Sequence, residues 1–401
     1  MMSVRLEAYR EVAPRGGIEL LGRLADRLHG RRFVHVNGSR FGAGSPEVLT
    51  RLIPMLQGLG VEATWEVVVG DPESYTAIRQ IERGLAGIGP PALPEATVRA
   101  YRAAAAANAA ALRLEGDVVM VHDVAALPLG HHRAGGGRWV WGCHGDLSHA
   151  HRRVWNVARA DLERYDAAVF PLPRFAHRLP IPTLIVHPAV DPLSERNREL
   201  TRSAVDGTLA RLGVPRDKPL VVQIAPYARS KDPLGVVRAY RLAKKYADCR
   251  LVLAGWGVND NPEGRAVLDE VREAAATDPD VHPLVLPPDA GVELNALQRA
   301  AAVVVHKPLR EDFGLAVAEA MWKGKPVVAS AVGGLAAQVI PEVTGFTVTS
   351  VEGAAFRLRQ LLEDADLRAR LGGAGREYVR RSFLITRQLG DYLALLASLT
   401  G

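Results

Sequence analysis

Short apolar, often β-branched runs alternate with longer stretches of helical periodicity along the whole chain. That pattern predicts parallel sheets joined by crossover helices. In the first half it places strands at Phe33 to Val36, Ala63 to Val69, Asp117 to Val121, Trp139 to Cys143, Ala167 to Phe170 and Thr183 to Val186. In the second half it places them at Leu220 to Ile224, Arg250 to Ala254, Pro283 to Leu286, Ala302 to Val305, Pro326 to Ala329 and Gly345 to Val348. The second set is the more continuously apolar, as expected where helices cover both faces of a sheet. Between the sets, His187 to Asn197 (HPAVDPLSERN) is polar, holds two prolines and has no apolar period, so it reads as a linker. The expected fold is α/β, with two doubly wound, Rossmann-like domains facing a cleft. Residues 1–196 would form the first, 197–375 the second, and 376–401 a helix packing back toward the first. Ligands in such sheets bind at the carboxyl ends of the strands.

Composition narrows the classes. With 401 residues, 48% hydrophobic and 23% charged, the chain can bury two cores, which excludes disordered, collagen-like and coiled-coil classes. The net charge of +6 rests mostly on arginine, but the arginines are scattered and form no basic block, so no nucleic-acid partner is expected. Cys143 and Cys249 lie far apart with no C-x-x-C spacing, which fits a reducing cytoplasm and neither a disulfide framework nor a zinc cage. Arg5, Glu7, Arg10 and Glu11 leave no apolar region for a signal peptide. The bland run Ala103 to Leu112 is too short to span a bilayer, so no membrane partner is expected.

Four strand-end segments carry candidate chemistry. After the strand ending near Val305, Glu311-Asp-Phe-Gly-Leu-Ala-Val-Ala-Glu319 brackets the start of a helix that runs to Lys323, with Gly324 as its stop. Free N–H groups at that start would face an anion, with Gly314 allowing close approach. Glu319 could accept from a pair of ribose hydroxyls and Glu311 from a sugar hydroxyl; the bland reading is a capped helix with solvated acids. After the strand ending at Ile224, Asp232 as N-cap and Pro233 at the first helical position would present Arg229 and Lys231 to a diphosphate. A solvated basic turn is the alternative. In the first half, Gly42-Ala-Gly44-Ser-Pro-Glu47 starts like a dinucleotide fingerprint but fails at Pro46 and Glu47, leaving a ligand loop or a simple turn. His122-Asp123 and Cys143-His144-Gly145-Asp146 end two strands, offering hydrogen bonds to a polyhydroxylated ligand or merely satisfying the fold. Cys143 and His144 point to opposite faces, which argues against thiol catalysis. Asp278-Pro-Asp280, Asn37-Gly-Ser39 and His131-His132 read as decoys, and no metal is expected.

The Glu311/Glu319 spacing, the lysine loop before a helix and the two-domain plan together resemble the retaining glycosyltransferases of family 4. His187 to Asn197, Glu319 to Pro326, Gly333-Gly-Leu-Ala-Ala-Gln338 and Trp141 to Ser148 sharpen the likeness to the glycosyltransferring trehalose synthases within it. The resemblance implies a glycosyltransferase-B fold, with a nucleotide-sugar donor on the second domain and a small acceptor on the first. It implies Glu319 on the ribose, Lys231 on the diphosphate, the base near Leu286 and Pro287, and Glu311 with the Phe313, Gly314 and Leu315 backbone on the donor sugar. His144 would meet the transferring sugar, and Gly42, Gly44, His122, Asp123 and Asp146 would form the acceptor side. The catalytic set is then His144, Glu311 and Lys231, without protein nucleophile or cofactor. ADP-, GDP- and UDP-sugars all remain open as donors, and a homodimer is the assembly the resemblance suggests.

Two departures bear on this expectation. Pro226 stands where the family places an arginine five residues before the loop lysine, with Arg229 the candidate replacement. Ser45 and Pro46 stand where the trehalose synthases carry small apolar residues. The expected reaction is transfer to glucose giving an α,α-trehalose-type product. The alternatives are another small acceptor of specialised metabolism (an aminocyclitol, modified sugar or thiol), a non-catalytic nucleotide-sugar-binding homologue, and an epimerase on the same fold.

Overall fold

Along each strand of the first sheet, odd and even residues enter different cores. The computed structural model describes residues 6–41, 44–90, 92–133, 135–259, 261–287 and 289–401. Its first unit runs through α1 (Gly17–Asp26), β1 (Arg32–Asn37), α2 (Ser45–Gly58), β2 (Glu62–Val67), α3 (Pro72–Leu85) and α4 (Glu95–Ala111). It continues through β3 (Val118–His122), β4 (Arg138–Gly142), α5 (Arg152–Leu162), β5 (Ala167–Phe170) and β6 (Thr183–Ile185). The strands are parallel, in the order β2-β1-β3-β4-β5-β6. Phe33, Met120, Val140 and Val169 pack on one face beneath α1 and α2, while Val34, Val119, Trp139 and Phe170 pack on the other beneath α3, α4 and α5. This is the two-residue period of a pleated strand expressed as two separate cores.

The second unit repeats the plan through α6 (Arg202–Arg211), β7 (Leu220–Ile224), α7 (Pro233–Lys244), β8 (Arg250–Gly255), α8 (Pro262–Ala275), β9 (Val281–Val285) and α9 (Gly291–Ala300). There follow β10 (Ala301–His306), α10 (Leu315–Trp322), β11 (Val327–Ser330), α11 (Leu335–Gln338), β12 (Phe346–Val348), α12 (Val351–Glu363) and α13 (Ala365–Ser382). Its strands are also parallel, ordered β12-β11-β10-β7-β8-β9. All twelve expected strands are present, each within a few residues of its predicted ends. The last helix, α14 (Ile385–Thr400), belongs to the first unit, where Leu389, Leu393 and Leu396 are fully buried in the core that holds Leu21 and Phe33.

The units divide at Ala189/Val190 and again at Leu384/Ile385. The first seam lies earlier than the expected boundary after residue 196, and α13 stays with the second unit instead of leaving it at 375. Hydrogen bonding explains the shift. Val190 N–H donates to Phe383 O at 2.7 Å, and Asn295 Nδ2 donates to the carbonyls of Glu195 and Arg198, both at 2.8 Å. The end of the stretch that reads as linker is therefore bound to the second unit through its backbone. Among the described residues no helix is long and apolar enough to cross a membrane.

Candidate functional site

In a doubly wound sheet the crevice opens where strand order reverses, because the loops there leave toward opposite faces. The second unit reverses between β7 and β10, and the first between β1 and β3. Most of the singled-out residues lie at or after the carboxyl ends of those strands, while His144 and Asp146 follow β4, Leu286 follows β9 and Glu319 lies on α10.

In the second unit, the turn after β7 and the loop after β10 are tied together. Leu309 N–H donates to Ser230 O at 2.7 Å, Lys231 Nζ meets Glu311 Oε1 at 2.7 Å, and Lys307 pairs with Asp232. Asp232 sits in the left-handed region (φ 47°) and caps α7 by accepting from Gly235 N–H, as its place before Pro233 predicts. His306, the last residue of β10, bonds through Nε2 to Glu311 Oε2 at 2.6 Å. Burial pushes the Glu311 carboxyl up, but the His306 hydrogen bond and the attraction of His306 and Lys231 outweigh it and hold the group at about 2. Glu311 is thus a fixed anion whose two oxygens are already oriented.

Gly314 starts α10 at φ 80°, and a Cβ there would come within 2.6 Å of Leu335 Cδ2. Only glycine fits both the backbone angle and the space. Gly333, also left-handed, packs so closely that a Cβ would overlap the Glu311 carbonyl oxygen. Gly334 N–H donates to Asp312 O at 2.7 Å, and Gln338 donates to Phe313 O. The Gly333–Gln338 segment is therefore the support of the Glu311–Gly314 loop. Phe313 is buried edge-on against Phe383, leaving its backbone and that of Leu315 at the helix start. Leu286 follows β9 and is bonded through its N–H to Gly255 O at 2.8 Å. Glu319 is buried on α10, and its carboxylate lies 3.2 Å from Arg196 Nε. Lys323, one turn on, donates to Asn197 Oδ1 and Gln298 Oε1 at 2.7 Å each; burial pulls its ammonium down to about 7, opposed by the charge of Glu319.

Arg229 is placed differently from expectation. Its guanidinium is mostly exposed and engages Glu270 of α8 at 2.7 Å, while its N–H donates to Glu263. The short turn Arg229–Lys231 directs successive side chains apart, sending Lys231 toward Glu311 and Arg229 toward α8.

In the first unit, Gly42 lies outside the described residues, and Gly44 (φ 86°) precedes α2. Ser45 opens that helix, accepts from Asn37 Nδ2 at 3.2 Å and donates to Asp123, whose own φ is 64°. Pro46 occupies the first helical turn, where a missing N–H leaves no bond broken. Asp146 is turned onto Ser148, with Oδ1 accepting from that residue's N–H at 2.8 Å. His122 needs correction as a residue that touches a ligand: it is fully buried, and both ring nitrogens are engaged by His35 and His144, at 2.9 Å each. Only His144, half-buried beyond the end of β4, carries this row toward the sheet edge.

The sequence reading missed His35, His306, Lys307 and Arg196. His35 had a signal, an ionisable residue inside the apolar run FVHV, and His306-Lys307 had another, two polar residues capping an apolar strand. Arg196 had none. The decoys are consumed structurally: Asp278 and Asp280 bind Lys244, Lys218 and Arg250, Asn37 is buried, and His131 pairs with Asp161.

Comparison with known proteins matches residues 35–177 to a family described as "Trehalose synthase, N-terminal domain" and residues 208–378 to "Glycosyl transferases group 1". A trehalose synthase of Pyrococcus horikoshii is 35% identical over 99% of this chain and 97% of its own. One from Rubrobacter xylanophilus is 34% identical over the same shares. Among solved structures, a sucrose-phosphate synthase from Thermosynechococcus elongatus shares the fold, with a TM-score of 0.67 and 20% identity over 92% of this chain and 100% of its own. An Escherichia coli protein solved with UDP-2-fluoro glucose, described as "Trehalose-6-phosphate", gives 0.72 and 12% over 91% and 98%.

Proposed function

Because the chain belongs to the trehalose synthase family of nucleotide-sugar-dependent glycosyltransferases, with the two Rossmann-like units of the glycosyltransferase-B fold, we propose that it transfers a hexosyl group to glucose with retention, giving an α,α-linked disaccharide. The observation that carries the donor side is the knot of Lys231, Glu311 and His306 at the strand reversal of the second unit, beside the N-terminus of α10. Lys231 and the free N–H groups of α10 would hold the diphosphate, with Lys307 as a second cation fixed by Asp232. Glu319, held by Arg196, retains acceptor lone pairs for the ribose hydroxyls, and the base would rest by Leu286. Glu311 would accept from the hexose. The acceptor would lie on the first unit, by Gly44, Asp123 and Asp146, with His144 meeting the transferring sugar.

No side chain needs to act as nucleophile. The bond from the anomeric carbon to the phosphate oxygen breaks, the acceptor oxygen bonds the same face of that carbon, and its proton passes to the departing phosphate. The residues named contribute position and fixed charge. Incubating the protein with ADP-, GDP- or UDP-glucose, with and without glucose, tests this reading. The expected result is glucose-dependent nucleotide release and the anomeric proton signals of an α,α-linked disaccharide. Release that ignores glucose but responds to another small acceptor would replace the acceptor assignment.

A further inference from the structure

A row of three imidazoles crosses three adjacent strands of the first sheet. His35 of β1 meets His122 of β3 (Nδ1 to Nε2, 2.9 Å), and His122 meets His144 beyond β4 (Nδ1 to Nε2, 2.9 Å). Phe33, 4.0 Å away, and Tyr392 of α14, edge-on at 6.3 Å, wall off the inner end. We propose that His122 is a positioning residue that, in a row whose direction is set at its partnerless inner end, holds His144 in its Nδ1–H tautomer, so that the imidazole offers the sugar a hydrogen-bond donor and not an acceptor. This rests on the placing of His144 at the transferring sugar.

Neutral imidazole has one N–H and one lone pair. Burial keeps His35 neutral, pulling it down to about 3, and burial together with its two histidine neighbours lowers His122 well below the usual range. In a row of neutral rings the protons must all point one way. Either each ring carries its proton on Nδ1 and donates outward, His35 to His122 to His144, or each carries it on Nε2 and the row runs inward. The inner end decides. His35 Nε2 is buried with no hydrogen-bond partner. If the row ran inward, that atom would be a donor with nothing to receive it; running outward, it is a lone pair. Orphaned buried N–H groups are the rarer case and carry the full desolvation cost. The outward direction fixes the proton of His144 on Nδ1, against the Nε2–H preference of a free histidine side chain in water.

Ring-selective ¹⁵N labelling with two-bond ¹H–¹⁵N correlation reads each tautomer directly, the signals of His144 being those lost in His144→Ala. The expected wild-type spectrum shows Nδ1–H for His122 and His144. In His122→Phe, His144 should drift to Nε2–H, with kcat falling about tenfold or more and KM for the nucleotide sugar within about twofold, whereas in His35→Phe, where His122 Nε2 becomes the partnerless inner end, His144 should keep Nδ1–H. His122→Asn, whose side-chain amide can still donate toward His144 Nε2, should restore the tautomer and most of kcat. An Nε2–H signal for wild-type His144, or a His122→Phe variant unchanged in tautomer and kcat, overturns the proposal. If the phenylalanine variants do not fold, the wild-type spectrum alone decides. Full activity in His144→Ala would remove the sugar-facing assignment instead, while the wild-type tautomer still judges the row.

Discussion

Glu311 is held by the fold through both of its carboxylate oxygens, one on Lys231 and one on His306. Its carboxyl sits at about 2 in the folded chain, against an ordinary 4.5, so its contribution to stability is complete above about pH 4.5 and disappears as the pH falls through about 2. The difference corresponds to about 3 kcal/mol. Denaturant unfolding followed across pH should show wild type and Glu311→Gln converging in that window; parallel curves would mean that the carboxylate is not held as described. The same pair explains why Lys231 and Arg229 should differ despite lying two residues apart. Lys231→Ala should lower kcat/KM about a hundredfold, as expected for a lost charged contact of about 2 to 3 kcal/mol. Arg229→Ala should stay within about threefold, because its guanidinium is engaged by Glu270 on the exposed side of α8. Equal losses would mean that Arg229 leaves Glu270 for the diphosphate and supplies the charge that the resemblance expects at Pro226.

At the scale of elements, the loop Glu311–Gly314 keeps its shape because another loop supports it. Gly333→Ala places a Cβ against the Glu311 carbonyl and strains a left-handed backbone, so the loop must move. Calorimetric titration with nucleoside diphosphate should show at least tenfold weaker binding, whereas Gly207→Ala, on α6 with open space around it, should bind as wild type does. Unchanged binding in Gly333→Ala would separate this loop from the donor. The start of α7 was legible in sequence, since Asp232-Pro233 is a capping signal with a local cause. The support of Gly333 was not, because nothing near residue 333 says that residue 311 will lie beneath it.

For the whole molecule, two units mean two cores, and α14 belongs to the first although it follows the second in sequence. Leu393→Ala should cost about 2 to 5 kcal/mol, the range for emptying a buried leucine site. Hydrogen exchange should then show lost protection in β1 and β3 while β7 and β10 keep theirs; uniform loss would show that the units unfold together.

The sequence by itself determined what depends on near neighbours along the chain. Strand positions follow from runs of a few apolar residues, helix starts from caps such as Asp232, and the placing of site residues at strand ends from motifs that directly follow those runs. It also determined the family, through motifs spread over most of the chain. Only the tertiary structure decided which strand ends meet. His35 and His122 face each other because β1 and β3 are neighbours in the sheet, and a parallel pair brings together residues separated by a whole crossover. Val190 to Asn197 went to the second unit for a similar reason: the Glu195 carbonyl accepts from Asn295 of α9 and Asn197 Oδ1 from Lys323 just past α10, partners 100 and 126 residues away. Hydrophobic period is a local property of the chain; hydrogen-bond partnership across a sheet is a property of strand order.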